Sequence, residues 1–236
     1  MERLSLTDSV KSRIKTLIFD MDGVIVDSEP IHAESFRIFL RELGLPVDEE
    51  FINGLVGYSI DDNIERINHT YMDSQLLDIA AGVDRRDEIY MGLIRQSELT
   101  PIPGIEELIT VLSDVGWSFA LASSSVRVQV DAILKNLTEN SHRNINFTDL
   151  LKINVSGDEV KLKKPAPDLY ARALSMLNKP AEECMAIEDS QAGIISAKTN
   201  GLFCVALKNQ YFKMEQLAEA DLVIEQVDAL TRLLSA

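Results

Sequence analysis

The chain has 236 residues, between one domain and two at roughly 150 residues each. Its 23 basic against 38 acidic side chains give a net charge of −15, which argues against the basic face of a nucleic-acid binder and against attachment to an anionic membrane surface. With 46% hydrophobic and 26% charged residues it has the composition of a folded protein, and any anionic substrate must find local positive charge inside a repulsive overall field.

Residues 1–13 are polar and without period, and read as a loose lead-in with no secretory apolar core. No run of about 18 apolar residues occurs, so no membrane span is expected and the chain reads as cytoplasmic. Residues 15–20, KTLIFD, form a short apolar run of the kind that makes a fully buried strand. The next 70 residues or so carry helical signals and no convincing strand. Pro30 opens a helix with Ile31, Phe36, Phe39, Leu40 and Leu43 toward one side, stopped by Gly44. Asp48 starts a second helix, Ser59 precedes a third, and Ser74 begins a fourth running through Ile89 and Ile94. This block is too long for a loop between a strand and a helix and reads as an all-helical insertion. Pro101 and Pro103 mark the return from it.

From there strands and helices alternate. Apolar runs at 118–123, 152–157, 184–189, 202–207 and 222–225 are separated by helical segments at 105–115 (closed by Gly116), 167–177, 192–198 and 211–218. The pattern predicts an α/β fold: a Rossmann-like parallel sheet core covered by helices, with an inserted all-helical domain. The expected division is 14–28 with 100–236 for the core and 29–99 for the insertion. Cys184 and Cys204 fall in two of the strands and are expected as buried free thiols, and the Asn-x-Thr triplets at Asn68, Asn136 and Asn146 mean little without an export signal.

Ligands of open parallel sheets bind beyond the carboxyl ends of the strands. There the sequence places Asp20-Met21-Asp22-Gly23, then Ser123-Ser124-Ser125, then Lys161, Lys163 and Lys164 before Pro165-Ala166-Pro167-Asp168, and finally Glu188-Asp189-Ser190. Each group alone has an ordinary reading as a turn, a helix cap or solvated charge. Together they do not, because carboxylates crowded at strand ends repel one another unless a cation joins them. A hard divalent ion such as Mg²⁺, bound by oxygen ligands and substrate phosphate, resolves the conflict, with lysine and hydroxyl donors for the remaining phosphate oxygens. The first strand has no glycine-rich dinucleotide fingerprint and the chain no GxxxxGK[ST] loop, while His32, His69 and His142 are too scattered for a zinc site.

These residues resemble the four motifs of the haloacid dehalogenase-like superfamily: DMDGV from Asp20, Ser123 in LASSS, Lys164 in KKPAPD, and IEDSQAGI from Ile187. The helical block resembles the cap domain that this family inserts after its first motif. Asp27-Ser28-Glu29-Pro30-Ile31-His32, KPAPD and EDSQAGI are similar to the β-phosphoglucomutase-like branch, which holds phosphatases and hexose-phosphate mutases. The resemblance implies Asp20 as a nucleophile forming an aspartyl-phosphate and Asp22 as general acid and base. It implies Mg²⁺ held by Asp20, the Asp22 carbonyl and Asp189, with Glu188 direct or one shell removed, and Ser123, Ser124 and Lys164 on the phosphoryl group. Asp27 and His32 are implied pocket or hinge residues. The implied activity is a Mg²⁺-dependent phosphatase of a small phosphorylated metabolite, a sugar phosphate, with monomer as the default state. In one respect the chain departs from the mutase pattern: Gly57-Tyr58-Ser59-Ile60 has isoleucine where a mutase cap carries a phosphate-gripping arginine, leaving Arg66 or Arg85 as substitutes. A hexose-phosphate mutase is the alternative, and a non-catalytic module on the same scaffold the remote one.

Overall fold

The computed structural model describes residues 8–72 and 76–235. The first helix, α1 (Asp8–Arg13), corrects the reading of 1–13 as loose throughout; its last turn carries Lys11 and Arg13, the sign that a helix C-terminus favours. Residues 1–7 of that lead-in lie outside the described residues. Strand β1 (Thr16–Phe19) follows, fully buried.

Four helices come next: α2 (Glu29–Glu42), α3 (Glu49–Asn53), α4 (Ile60–Tyr71) and α5 (Ile79–Gln96). Asp48 caps α3 by accepting from Glu50 N at 2.9 Å, and Ser59 caps α4 by accepting from Asp62 N at 3.1 Å. Gly44, at φ +70, ends the turn after α2. Ser74, the expected start of the fourth helix, lies outside the described residues; α5 is capped by Asp78, which accepts from Ala81 N at 2.9 Å.

The rest of the chain alternates: α6 (Ile105–Asp114), β2 (Ser118–Ala122), α7 (Arg127–Glu139), α8 (Phe147–Leu150), β3 (Asn154–Val155), α9 (Asp168–Leu177), β4 (Cys184–Glu188), α10 (Gln191–Thr199), β5 (Phe203–Leu207), β6 (Leu222–Ile224) and α11 (Val227–Ser235). The helix expected over 211–218 is instead a single 3₁₀ turn, Met214–Leu217. The Asn209 side chain accepts from the backbone N–H groups of Tyr211 and Phe212, so these amides are committed to a turn and do not start a helix.

The chain divides into two compact units, Met1–Asp27 with Leu99–Ala236, and Ser28–Glu98. The first is built on six strands in the order β3-β2-β1-β4-β5-β6, each pair parallel. This is the Rossmann order, and it reverses direction between β1 and β4. Residues Leu17, Ile18 and Phe19 have no exposed surface, the condition for continuous apolar strands in a sheet covered on both faces. On one face Ile18, Ala120, Ala122 and Val155 pack with Leu169, Tyr170 and Ala173 of α9 and with Ile194 and Ala197 of α10. Full burial of each large apolar side chain contributes about 1.5–3 kcal/mol. Both cysteines are free and buried. The second unit is all-helical, its core made of Phe36, Phe39, Leu40, Ile52, Leu55, Ile64, Ile67 and Ile89. Among the described residues, no helix is long and apolar enough to cross a membrane.

Candidate active site

The carboxyl ends of β1, β2 and β4 bring the predicted residues of the first unit together. In register, Phe19 lies between Leu121 and Ile187, so Asp20 emerges from the sheet beside Glu188 and Asp189. Asp20 N still donates to Ile187 O at 2.9 Å, and then the chain turns, with Gly23 N donating to Val26 O at 2.8 Å. Gly23 has φ +78, and a Cβ there would stand 1.9 Å from Asp189 Oδ2. Any side chain at this position would occupy the space of the carboxylate, so the glycine of the DMDG run is a steric requirement.

Asp20, Glu188 and Asp189 are all buried, and each offers a carboxylate oxygen within 4.8 Å of the others. Among the described residues, one cation faces them. Lys164, with a side chain 5% exposed, directs its ammonium to Asp20 Oδ1 at 2.5 Å, Glu188 Oε1 at 2.6 Å and Ala122 O at 2.8 Å, which uses all three N–H bonds. Burial opposes the charged form of Lys164, but the charges of Asp20 and Glu188 outweigh it and hold the ammonium protonated. The acids are not balanced in return. Burial, followed by the repulsion of Asp20, lifts the Glu188 carboxyl to about 7 against the pull of Lys164. Burial and then the charges of Asp20 and Glu188 push Asp189 well above the carboxylate range. Three buried carboxylates against one ammonium form a set of hard oxygen donors short of positive charge, which is the chemistry of a divalent-cation site.

Asp22 is half-buried, and its Oδ2 accepts from the Ser125 hydroxyl at 2.9 Å. Ser123 is buried, its Oγ accepting from Ser125 N at 3.1 Å, and Ser124 is half-buried beside it. Of the three lysines after β3, Lys164 enters the site while Lys161 and Lys163 are exposed. Asp27 is exposed at the end of its segment, with the Tyr211 hydroxyl 3.5 Å from its Oδ1.

His32 lies in the helical unit. Its ring stacks on Tyr90 at 4.2 Å and its Nδ1 is bonded to Arg86 Nη2. Burial, with the Arg86 charge second, lowers the imidazole well below 6.5. Arg85 is taken up by Glu42 and Glu88, each at 2.7 Å, and Arg66 lies over the Tyr58 ring at 4.4 Å.

Sequence reasoning missed Ser125 as the partner of Asp22, Tyr170 whose hydroxyl donates to Glu188 Oε1 at 2.6 Å, Asn209 which donates to Asp189 Oδ2 at 2.7 Å, and the buried Arg86. Ser125 was visible as the last of a serine triplet at a strand end. Tyr170 reads as an ordinary core aromatic between Leu169 and Ala173, and Asn209 as a turn residue.

The model of the family described as haloacid dehalogenase-like hydrolase matches residues 17–207. Protein CbbY of Rhodobacter capsulatus is 30% identical, the match covering 92% of this chain and 95% of that one. The beta-phosphoglucomutase of Bacillus subtilis is 31% identical over 92% of each. Among solved structures, CbbY from Rhodobacter sphaeroides in complex with phosphate matches with a TM-score of 0.79 at 28% identity, over 92% of this chain and 96% of that one.

Proposed function

The chain belongs to the haloacid dehalogenase-like hydrolase family, and from that premise we propose that it is a Mg²⁺-dependent phosphatase of a small sugar phosphate, working through an aspartyl-phosphate on Asp20. The observation that carries the reading is the meeting of Asp20, Glu188 and Asp189 with Lys164, beside an Asp22 held by Ser125. The sugar-phosphate class is supported by similarity to a beta-phosphoglucomutase.

Asp20 and Asp189, with the backbone carbonyl of Asp22, would hold Mg²⁺; Glu188, which accepts from both Lys164 and Tyr170, serves chiefly to balance Lys164. When bound, the ion supplies positive charge that neutralises the carboxylates and the incoming phosphate oxygens. The Asp20 carboxylate attacks phosphorus as the bond to the leaving alcohol oxygen breaks, and Asp22 gives that oxygen its proton. Asp22 then takes a proton from water, whose oxygen attacks phosphorus; the bond to Asp20 breaks and inorganic phosphate leaves. Ser123, Ser124 and Lys164 donate to the phosphoryl oxygens. Because all three Lys164 N–H bonds are engaged, a phosphoryl oxygen would take the place of one of its present acceptors. Residues 29–99 act as the family's cap, Asp27 and His32 as pocket or closure residues, and the enzyme is a cytoplasmic monomer.

A mutase is favoured by the 31% identity to beta-phosphoglucomutase. Against it stand Ile60 at the arginine position, Arg85 already paired with Glu42 and Glu88, and Arg66 stacked on Tyr58. The test is turnover of a panel of phosphorylated sugars with and without Mg²⁺. Phosphate release that stops on chelation is expected, and Asp20→Asn lowers it on the order of 10⁴-fold or more. Normal turnover by that variant, or activity indifferent to chelation, overturns the mechanism. Conversion of β-glucose 1-phosphate to glucose 6-phosphate faster than phosphate release identifies the mutase instead.

A further inference from the structure

We propose that Asn209 is a positioning residue for the divalent-cation site, its amide fixing the orientation in which Asp189 meets the ion; the inference rests on the metal-dependent reading above. Asn209 lies two residues past β5, on an element that carries none of the four motifs. Its Nδ2 donates to Asp189 Oδ2 at 2.7 Å, while its Oδ1 accepts from Tyr211 N at 2.9 Å and Phe212 N at 3.2 Å. Two N–H donors at one end and a carboxylate at the other leave a single sensible orientation for the amide. The backbone just before it is tied as well, since Lys208 N donates to Ile224 O at 2.8 Å. The donor is therefore held at both its backbone and its far atom.

Asp189 needs such a donor. Its neighbours Asp20 and Glu188 repel it, Gly23 closes one side without offering a side chain, and the three Lys164 protons point to Asp20, Glu188 and Ala122. A neutral amide orients the carboxylate without cancelling its charge. A lysine in the same place would orient it and compete with the cation. Partners of this kind, one step beyond the ligands, typically carry a 10–100-fold effect on metal affinity.

The test is Asn209→Ser. A serine hydroxyl keeps an acceptor for the N–H two residues on, so the turn survives, but it is too short to reach Asp189. Mn²⁺ binding is followed by the electron-paramagnetic signal of the free ion, alongside the ion-free Tm and turnover against ion concentration. Expected are a Kd weaker by about 10–100-fold, an ion-free Tm close to the parent's, and a kcat recovered at saturating ion. A Kd within twofold of the parent's overturns the inference, whatever happens to turnover. In the unmutated protein, the side-chain amide resonance of Asn209 should shift with the same midpoint as Mg²⁺ binding, and a resonance indifferent to the ion also overturns it. If the parent binds neither ion, the metal-dependent reading falls and takes this inference with it; if only the variant comparison fails, the reading of the site stands.

Discussion

Each unit of this protein buries a cation, and the two do so in opposite ways. In the sheet unit Lys164 is surrounded by acceptors: two carboxylates and a carbonyl satisfy every N–H it has. In the helical unit Arg86 has no exposed surface and lies between aromatic faces, 4.8 Å from the Phe36 ring and 4.7 Å from Tyr90, with Asp87 and His32 as polar partners and no hydrogen-bond partner for its Nε among the described residues. The contrast separates two uses of buried charge. Lys164 belongs to a network in which the charges of Asp20 and Glu188 hold its ammonium protonated against burial. Arg86 is held by packing and cation–π attraction to Phe36 and Tyr90, with one bond each to Asp87 and His32, so that less of its setting depends on buried carboxylates.

The largest expected effect follows from removing one member of the network. Lys164→Met leaves Asp20 and Glu188 buried without their cation, and urea unfolding of the ion-free protein should show a loss of about 3–5 kcal/mol. Arg86→Met keeps the apolar contact with Phe36 and Tyr90 but takes the bond from His32 and the charge from the part-exposed Asp87, and in the same measurement should cost less, about 1–3 kcal/mol. A loss from Arg86→Met as large as that from Lys164→Met would erase the distinction. The smallest effect is a slope. His32 has a folded-state value below its ordinary 6.5, through burial first and the charge of Arg86 second. Below pH 6.5 the unfolded chain therefore binds the proton before the folded one does. This contribution is intact above 6.5 and is lost as pH falls from there toward the folded value. The urea midpoint of the parent should fall faster than that of His32→Asn between about pH 7.5 and pH 5; parallel lines would show that His32 titrates alike in both states.

The same contrast marks what could be read from the chain. Buried parallel strands are continuous apolar runs, so the sheet was legible almost strand for strand, and so were the acids and serines at its carboxyl ends. Helix α7 has no side-chain cap at Val126 to announce it, and the stretch after Asn209 reads as a helix until the asparagine side chain claims its amides. Tyr170 and Asn209 act on Glu188 and Asp189 across 18 and 20 residues, and Arg86 meets His32 across 54. Such partnerships are made by the fold, and no local pattern encodes them. His32 illustrates the boundary: its position in the Asp27–His32 run was visible, while the neighbours that set its protonation were not.

The central claim is that Asp20 carries the phosphoryl group between its two transfers. The most direct measurement is an acid-quenched single turnover with a sugar phosphate radiolabelled in its phosphoryl group, followed by peptide mapping. The account predicts label bound covalently to the peptide containing Asp20 during turnover, lost as inorganic phosphate appears, and absent from Asp20→Asn. Phosphate released with no protein-bound label, or label found on another residue, would contradict it.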